Sequence, residues 1–570
     1  MEKIYSVTLY DRDRLEDFYD EMKSKGFKLS KKRSISRNTY YWMTEEQAVE
    51  LRKDSSVWGV EALDDFHIEP HGIYNNTSHS KNGNYWKDDS QGTKTLYWND
   101  YQWGHIHCAG TPASRRGKGY FGDISKGGSY ERKTNQPVSI FNDGKHTDVV
   151  IVDQPMAYDS EEWYSPTTNS TRFVQYQWFN ELNTIVNSID DDGWTEPTGT
   201  ITYAQNSNLS YYHGQHVAGI LAGQHYGWAT EANIYNLCCI GNWPSSTSHW
   251  VGRLLIFDYL RAFHLNKAVN STTGRRNPTI TNHSYGGLTY YNNDQTSYLA
   301  FSDIIRIYYR GTTYNSSNPG SSGWTQTGVE KDFGVRFNER SLPYWSSTSV
   351  ADVQDAIEDG VVIVGSAGND HAYMAEPNDA DWNNMLAWTR GGYTYSRFMN
   401  RGAWPNTPDS GSIIVGNLSN VHDFRRAWDS NYGPSIDTFA PGIEILSAFG
   451  NTGFSDGKYG SGNYYYSIGG TSMSSPQVAG VAAILATAKP RFGNQDVRSY
   501  LQKTSVNDDM TFDLGSGTHD DDTCQLGSPN SYLHSKNPRA ESGLIQDDVK
   551  GERKTSGTTF PRKSTFYYSS

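Results

Sequence analysis

Residues 469–480 constrain the fold of this chain more than any other stretch of its sequence. Two glycines precede Ser472, and a helix of small residues is predicted over 478–486. A tight turn into a helix exposes the serine hydroxyl where backbone N–H groups lack partners, which suits a nucleophile with an oxyanion beside it. A lone serine at this place would instead indicate an ordinary N-capped helix. The rest of the sequence therefore has to supply the partners of the serine.

Three motifs resemble, in order, those of the subtilisin-like peptidases, or subtilases. The stretch over 469–480 resembles the serine motif of that family. A buried strand over 148–153 ends in Asp153, and functional groups gather at the carboxyl ends of strands in doubly wound sheets. His213 opens a segment that resembles the histidine motif. The resemblance implies a triad of Asp153, His213 and Ser472, in the chain order of subtilisin.

The sequence departs from the family pattern beside two of these residues. Gln154 and Pro155 follow the aspartate, where the family usually has a hydroxyl residue and glycine, and Gln215 stands where threonine is usual. The departure at Gln154 and Pro155 concerns the local support of the carboxylate rather than its identity. Asp148, at the start of the same strand, is the weaker candidate for the catalytic aspartate.

A second histidine, His216, lies three positions after His213 and would share its helix face. Such a pair also fits a zinc site, but no third ligand follows at a zinc-like spacing. We therefore expect His216 to be a packed, hydrogen-bonded side chain. No cofactor or metal is predicted; calcium stays possible without an assigned site, because the acidic clusters at 190–192 and 520–522 are more typical of solvated loops.

Residues 360–370 predict a buried strand that ends in small residues and one amide. This segment resembles the oxyanion-hole motif of subtilases. The resemblance implies that Asn369 donates to the oxyanion, with three neighbouring residues in contact with substrate: Ser366, Ala367 and Gly368. A turn residue beside a glycine is the simpler interpretation of the asparagine.

Residues 279–287 resemble the substrate-binding strand of the same family. An exposed strand edge binds an extended peptide by backbone pairing, which tolerates many peptide sequences. The resemblance gives this role to Ser284, Tyr285 and Gly286, with the tyrosine ring narrowing one of the pockets. An ordinary buried strand is the simpler interpretation.

Residues 1–66 predict a separate α+β module with the order β-α-β-β-α-β, a ferredoxin-like plan. Thr44 and Gln47 form a capping box at the start of its second helix. The stretch over 43–54 resembles the inhibitory propeptide (inhibitor I9) of subtilases, which assists folding and plugs the cleft with its C-terminal tail. A generic domain without an inhibitory role is the alternative.

The remaining organisation follows from composition and motif order. Residues 67–100 are interpreted as a linker with the processing site, expected within 64–100, and residues 101–510 as the catalytic domain. Within it, residues 288–348 are polar, aromatic and irregular, and are interpreted as an insertion that shapes the cleft, contacts a partner or is a surface excursion. Residues 511–570 predict an appendage or tail. The expected fold is a doubly wound, mostly parallel α/β sheet with helices on both faces.

Composition excludes several classes of function. The net charge of −13 argues against a nucleic-acid partner, and no run of 18 apolar residues predicts a membrane span. Four cysteines in 570 residues predict buried thiols rather than a disulfide framework. The first residues lack an apolar signal core, which favours an intracellular or virion-associated protein over a secreted one.

The resemblance therefore implies a serine endopeptidase that hydrolyses polypeptides through an acyl-enzyme. It also implies a self-processed zymogen, whose own N-terminal module is a binding partner. The alternative is a structural or binding component, for example of a phage particle, built on an inactive subtilase scaffold. The Tyr-, Asn- and Gly-rich insertions, the residues Gln154 and Pro155 and the missing signal core motivate that alternative.

Overall fold

The fold is described from a computed structural model of the chain. It describes residues 2–63, 67–70, 104–105, 108, 140–186, 188–190, 197–209, 211–241, 250–419, 426–443, 445–450, 464–489, 491–507, 510, 528–529 and 531–535. The helices in these ranges are α1 (Leu15–Ser24), α2 (Glu45–Leu51), α3 (Trp178–Val186), α4 (His213–Ala222), α5 (Ile256–Asn266), α6 (Gln326–Phe333), α7 (Ser347–Glu358), α8 (Thr471–Ala488) and α9 (Asn494–Thr504).

The strands in the same ranges are β1 (Lys3–Leu9), β2 (Lys28–Arg33), β3 (Asn38–Met43), β4 (Val57–Ala62), β5 (His67–Pro70), β6 (Asp148–Asp153), β7 (Ser188–Asp190), β8 (Asn233–Cys238), β9 (Thr279–His283), β10 (Tyr285–Tyr290), β11 (Ile304–Tyr309), β12 (Thr312–Tyr314), β13 (Ser341–Pro343), β14 (Val362–Ser366), β15 (Met385–Arg390), β16 (Tyr393–Phe398), β17 (Ile413–Leu418), β18 (Thr438–Pro441), β19 (Ile445–Phe449), β20 (Tyr464–Ile468), β21 (Val506–Asn507) and β22 (Ser531–Tyr532).

A central sheet with the order β21-β22-β18-β17-β14-β9-β6-β8 organises the body of the molecule. From β22 to β8 each neighbouring pair is parallel, while β21 runs antiparallel at the edge. All residues of β6 and β17 are buried. Because successive side chains of a strand point to opposite faces, both faces of the sheet are covered. This confirms the predicted α/β fold, with α8 packed on β9, β14 and β17 and α4 packed on β6.

The strand order of this sheet reverses beside β6. β6 pairs with β8 on one side and with β9 on the other, and β14, β17 and β18 continue beyond β9. In open parallel sheets such a reversal leaves a crevice outside the carboxyl ends of the two strands, where ligands bind. The fold therefore directs attention to the residues that end β6 and β9.

The N-terminal module has its own core and supplies four strands of a five-stranded sheet, whose fifth strand, β7 of the body, pairs antiparallel with β2. Its strands follow the order β4-β1-β3-β2 and pair antiparallel, which is the predicted ferredoxin-like plan with four separate strands. One face of β1 packs against α1 and α2 through a set of buried apolar side chains: Tyr5, Val7, Leu9, Leu15, Phe18, Met22, Ala48 and Leu51. The predicted capping box of Thr44 and Gln47 is present at the start of α2. The module boundary at residue 66 stays a prediction.

The expectation of irregular structure over 288–348 was wrong. This segment contains β11, β12, β13 and α6, and β11 pairs with β15 to complete a four-stranded sheet with β12 and β16. A separate core forms there, with Ile307 and Phe333 against Leu386 and Trp388. Three of its eleven buried residues, Leu386, Trp388 and Met399, come from later in the chain, so the segment by itself does not show the complete apolar pattern.

Candidate active site

The crevice beside β6 brings two of the predicted residues together. β6 and β9 are in register with Val152 opposite His283. Asp153 and Ser284 each follow one of these paired residues, so they lie side by side at the carboxyl edge of the sheet. The predicted carboxylate and the predicted substrate-binding strand are therefore neighbours because of the sheet topology.

Asp153 orients the ring of His213. Nδ1 of the histidine lies 2.8 Å and 3.0 Å from the two carboxylate oxygens, and both side chains are fully buried. Since Nδ1 faces the carboxylate, Nε2 is the nitrogen left to act as a base. Nε2 is buried, and no residue in the described ranges gives it a hydrogen bond.

The unusual residue after the aspartate supports this pair. Gln154 donates its N–H to Asp153 at 2.7 Å, and its side-chain oxygen accepts the N–H of His213 at 3.0 Å. The latter bond satisfies one of the free N–H groups at the start of α4. Gln215, the second departure, accepts the N–H of Ala157 at 3.1 Å and ties α4 to the segment that follows β6. Both glutamines therefore fasten the histidine helix to the strand of the aspartate.

Ser472 lies in the first turn of α8, shortly after Gly470 with φ of +134°, a conformation that favours glycine. Its hydroxyl donates to the carbonyl of Ser284 at 2.8 Å, and the hydroxyl of Ser284 donates back to the carbonyl of Ser472 at 2.9 Å. The second bond has a local cause: Pro476 lacks the N–H that would otherwise donate to this carbonyl within the helix. Two hydrogen bonds thus join the two serines. In this conformation the hydroxyl of Ser472 makes no hydrogen bond to Nε2 of His213.

The side chain of Asn369 is oriented by the helix of the serine. Its Oδ1 accepts the N–H and the hydroxyl of Thr471, each at 2.9 Å. The hydroxyl oxygen of Thr471 also accepts the N–H of Gly368 at 3.1 Å. With its oxygen used in this way, the amide can act on a ligand only through its NH2 end. Asn369 is half-buried, whereas Ser472 beside it in the crevice is fully buried.

The predicted substrate-binding strand pairs with an extended segment of the chain itself. β10 runs antiparallel to β5, with Tyr285 opposite Pro70 and Gly286 opposite Glu69. The pairing is made through the backbone, which is the mode expected for peptide recognition by a strand edge. The ring of Tyr285 is fully buried and its hydroxyl lies 3.0 Å from Nδ1 of His283, so the residue meets the segment through its backbone.

Ser366 and Ala367 lie at the carboxyl end of β14 and are not part of an exposed surface. The hydroxyl of Ser366 donates to the carbonyl of His283 at 3.4 Å, and the carbonyl of Ala367 accepts from Asn431 at 2.8 Å. Both residues are buried. They connect β14 to its neighbours, and their proposed contact with substrate stays a prediction.

Sequence reasoning missed Asn406, which ties the two halves of the crevice together. Its buried side-chain NH2 lies 3.0–3.1 Å from the carbonyls of His283, Tyr285 and Ser366. One amide thereby joins the end of β9 and the start of β10 to the end of β14. An asparagine in a loop far from these strands gives no local signal, so only the folded chain identifies it.

Two residues that the sequence set aside have structural roles. Asp148 accepts from Lys267 at 2.8 Å and from Asn277 at 2.9 Å, at the opposite end of β6 from Asp153. Nε2 of His216 lies 3.0 Å from the carbonyl of Ile445 in the buried core. This confirms the expectation of a packed, hydrogen-bonded histidine.

The described ranges contain no group of three or more His, Cys, Asp or Glu side chains that could hold a metal ion. The acidic cluster at 520–522 and residues 191–192 of the other cluster lie outside these ranges. Three of the cysteines, Cys108, Cys238 and Cys239, are buried free thiols, as predicted. None of the helices bounded above is long and apolar enough to cross a membrane.

The buried carboxylate of Asp429 is expected to make stability depend on pH. Its backbone carbonyl accepts from the N–H of His371 beside the Asn369 segment, and its side chain is buried. Burial raises the pKa of this group from 3.8 to about 6. A carboxyl with a raised native pKa holds its proton more tightly when folded, so stability falls as pH rises through this interval.

We therefore expect Asp429→Asn to raise the free energy of unfolding at pH 7.5 by up to about 3 kcal/mol and to change it little at pH 4. Denaturant unfolding at both pH values, in a Ser472→Ala background that prevents self-digestion, measures the effect. An equal change at both pH values would show that the carboxylate does not titrate in this interval.

Comparison with known proteins assigns the family. The sequence model of the subtilase family (peptidase S8) matches residues 74–518, which is most of the chain. The chain belongs to the subtilase family. The matched residues include every strand of the central sheet except β22, and they include all the candidate residues of the crevice.

Similar subtilases are alkaline elastase YaB from Bacillus sp. (strain YaB) and subtilisin DY from Bacillus licheniformis. The first is 38% identical over 92 residues, which are 16% of this chain and 21% of the relative. The second is 28% identical over 207 residues, which are 36% of this chain and 62% of the relative. This chain thus aligns with about a fifth of the length of the first relative and with less than two thirds of the length of the second.

Two solved structures are also similar. Fervidolysin from Fervidobacterium pennivorans, described as a keratinolytic enzyme related to subtilisin, matches with 17% identity and a TM-score of 0.45 over 94% of this chain and 60% of its own. A cold-adapted subtilisin-like serine proteinase matches with 19% identity and a TM-score of 0.38 over 71% of this chain and 93% of its own.

Proposed function

We propose that this subtilase is a serine endopeptidase that hydrolyses polypeptides with Ser472 as nucleophile, His213 as general base and Asp153 as the group that orients the base. One observation carries the proposal. Asp153, at the end of β6, orients the buried His213, whose Nε2 has no hydrogen-bond partner in the described ranges. Ser284 directly follows the neighbouring strand β9, and its carbonyl accepts the hydroxyl of Ser472. These contacts support a joint catalytic role for three side chains that lie far apart in the sequence.

The proposed reaction begins with a small movement of the nucleophile. The hydroxyl of Ser472 leaves the carbonyl of Ser284 and donates to Nε2 of His213, a hydrogen bond that forms in many enzymes only when substrate binds. His213 then takes the proton while the serine oxygen attacks the peptide carbonyl. The imidazolium, stabilised by Asp153, gives the proton to the leaving amine, and water hydrolyses the acyl-enzyme by the same route.

The negative charge on the tetrahedral intermediate needs fixed donors. The NH2 group of Asn369 is the proposed side-chain donor, because its oxygen is held by Thr471 on the helix of the nucleophile. The proposed backbone donor is the N–H of Ser472, which lies in the first turn of α8, where N–H groups lack partners within the helix; the N–H of Thr471 donates to Asn369 instead. An amide fixed before the reaction requires no reorganisation when the charge develops.

We further propose that the N-terminal module makes the chain a latent zymogen. Pro70 of β5 lies opposite Tyr285, next to the serine whose carbonyl binds the nucleophile. A polypeptide that keeps this register presents its next residue opposite Ser284. Self-cleavage is therefore expected within a few residues after Pro70. His213 and Ser472 are fully buried, which is consistent with a closed, inactive form.

Labelling with a fluorophosphonate and hydrolysis of casein test the proposed activity, with and without a serine-peptidase inhibitor. We expect the purified chain to be labelled at Ser472 and to digest casein in an inhibitor-sensitive way. Mass spectrometry of the processed chain is expected to find a new N-terminus shortly after Pro70. A chain that is neither labelled nor active would favour the structural or binding component on an inactive scaffold.

A further inference from the structure

The face that the N-terminal module turns toward the body is buried but polar. Ser6 and Thr8 of β1 alternate with the apolar residues of its core, and their hydroxyls lie 2.7 Å and 3.1 Å from that of Thr348 on α7. Asn38 of β3 donates to the carbonyl of Thr348 at 3.1 Å. A polar interface of this kind is typical of partners that separate, because neither surface is left strongly apolar in water.

One charged side chain of the module is completely enclosed by this interface. Arg33, at the end of β2, donates from Nε and Nη2 to the two carboxylate oxygens of Asp258 on α5, each at 2.7 Å. Its Nη1 donates to Asp352 on α7 at 2.8 Å. The side chain of Arg33 and that of Asp258 have no solvent exposure, and Asp352 has 6%.

The geometry is specific for a guanidinium group. A two-pronged pairing with one carboxylate needs the planar fork of arginine, which lysine cannot reproduce. The other oxygen of Asp352 accepts from Ser36 at 3.1 Å and from Asn38 at 2.9 Å, both of the module. Groups of the module therefore donate hydrogen bonds to both carboxylates. Arg33 is not part of the apolar core of the module, so its contacts with the body are separate from that core.

We propose that Asp258 and Asp352 form an arginine-binding exosite, separate from the crevice of Ser472, and that Arg33 in this exosite determines how long the cleaved module stays bound. The inference rests on the proposed zymogen, because it concerns the module after its cleavage from the body. While the module is docked, Arg33 neutralises two buried carboxylates, so loss of its guanidinium would leave buried charge without a partner and strongly destabilise the docked state. The exosite thus retains the module after the covalent link is cut.

The test uses the full chain with Ser472→Ala and a recognition site for an added specific protease inserted at residues 85–90. Cleavage is then supplied from outside, so the result does not depend on the activity of the chain. The dissociation rate of the N-terminal fragment is measured after dilution. We expect Arg33→Met to increase this rate at least about 100-fold, and Arg33→Lys to give an intermediate rate.

Arg52→Met is the matched control. This arginine also belongs to the module, but its guanidinium binds the carbonyl of Val60 and the carboxylate of Glu45 within the module. We expect its dissociation rate to stay within about twofold of the parent, since it holds no group of the body. A rate for Arg33→Met that is equally unchanged would overturn the proposal.

A double-mutant cycle separates docking from folding of the module. In a chain with Asp258→Asn and Asp352→Asn, Arg33→Met is expected to have little further effect, because the partners of the arginine are already gone. If the effects of the three substitutions simply add, Arg33 acts within the module and the exosite is refuted. Failure of the fluorophosphonate test in the wild-type chain would refute the proposed peptidase without changing these rates.

Discussion

Ser472→Ala is expected to lower the turnover of casein by about 10⁶-fold, the size known for loss of the nucleophile in subtilisin, and to block release of the N-terminal module. The substitution removes the oxygen that would attack the peptide carbonyl, while the bond from Ser284 to the carbonyl of residue 472 stays possible. Turnover with a chromogenic peptide and gel analysis of the module measure the two effects.

A neighbouring serine supplies the control. Ser474 lies on the same helix, and its hydroxyl is 3.4 Å from Oδ1 of Asn417, away from the proposed triad. Ser474→Ala is expected to keep turnover within a few-fold of the wild type. Processing of the module that proceeds unchanged in Ser472→Ala would contradict self-cleavage.

His213→Ala tests whether base and nucleophile act as a unit. We expect it to reduce turnover about as strongly as Ser472→Ala, and the double variant to be no slower than either single variant, because each loss alone disables the same proton transfer. If the two effects multiplied instead, the histidine and the serine would serve different steps.

Asn369→Ala is expected to reduce kcat by about 10²–10³-fold with little change in KM, the effect known for loss of the equivalent kind of donor in subtilisin. The amide contacts charge that develops only in the transition state, so ground-state binding should be preserved. Steady-state kinetics over a range of peptide concentrations separate the two constants.

Asn383→Ala is a suitable comparison for this variant. Asn383 is exposed and accepts a hydrogen bond from Arg401 outside the crevice. It should leave both constants nearly unchanged. If Asn369→Ala kept its kcat, the oxyanion would have to be stabilised by backbone groups alone.

Sequence patterns were sufficient where the physical signal is local. The alternation of Tyr5, Val7 and Leu9 fixed a strand with one apolar face, and the capping box of Thr44 and Gln47 fixed the start of a helix. The apolar run that ends at Asp153 predicted a strand buried on both faces. In each case the residues that determine the element are close together in the chain, so the local order of residues predicts the element.

Other features depend on contacts between distant segments. The irregular interpretation of residues 288–348 failed because their core is completed by Leu386 and Trp388. The contribution of Asn406 to the crevice could not be predicted, since its three acceptors lie on strands far away in the sequence. A side chain that acts through long-range hydrogen bonds leaves no period or spacing in the chain.

The sequence by itself determined the α/β class, the ferredoxin-like module and the candidate residues, because these follow from local periodicity and from ordered motifs. Only the tertiary structure decided that Gln154 supports His213, that Ser284 and Ser472 hold each other, and that Arg33 is enclosed by two carboxylates of the body. The reason is physical: strand register and helix packing set which distant side chains meet, and those meetings are fixed only when the whole sheet is assembled.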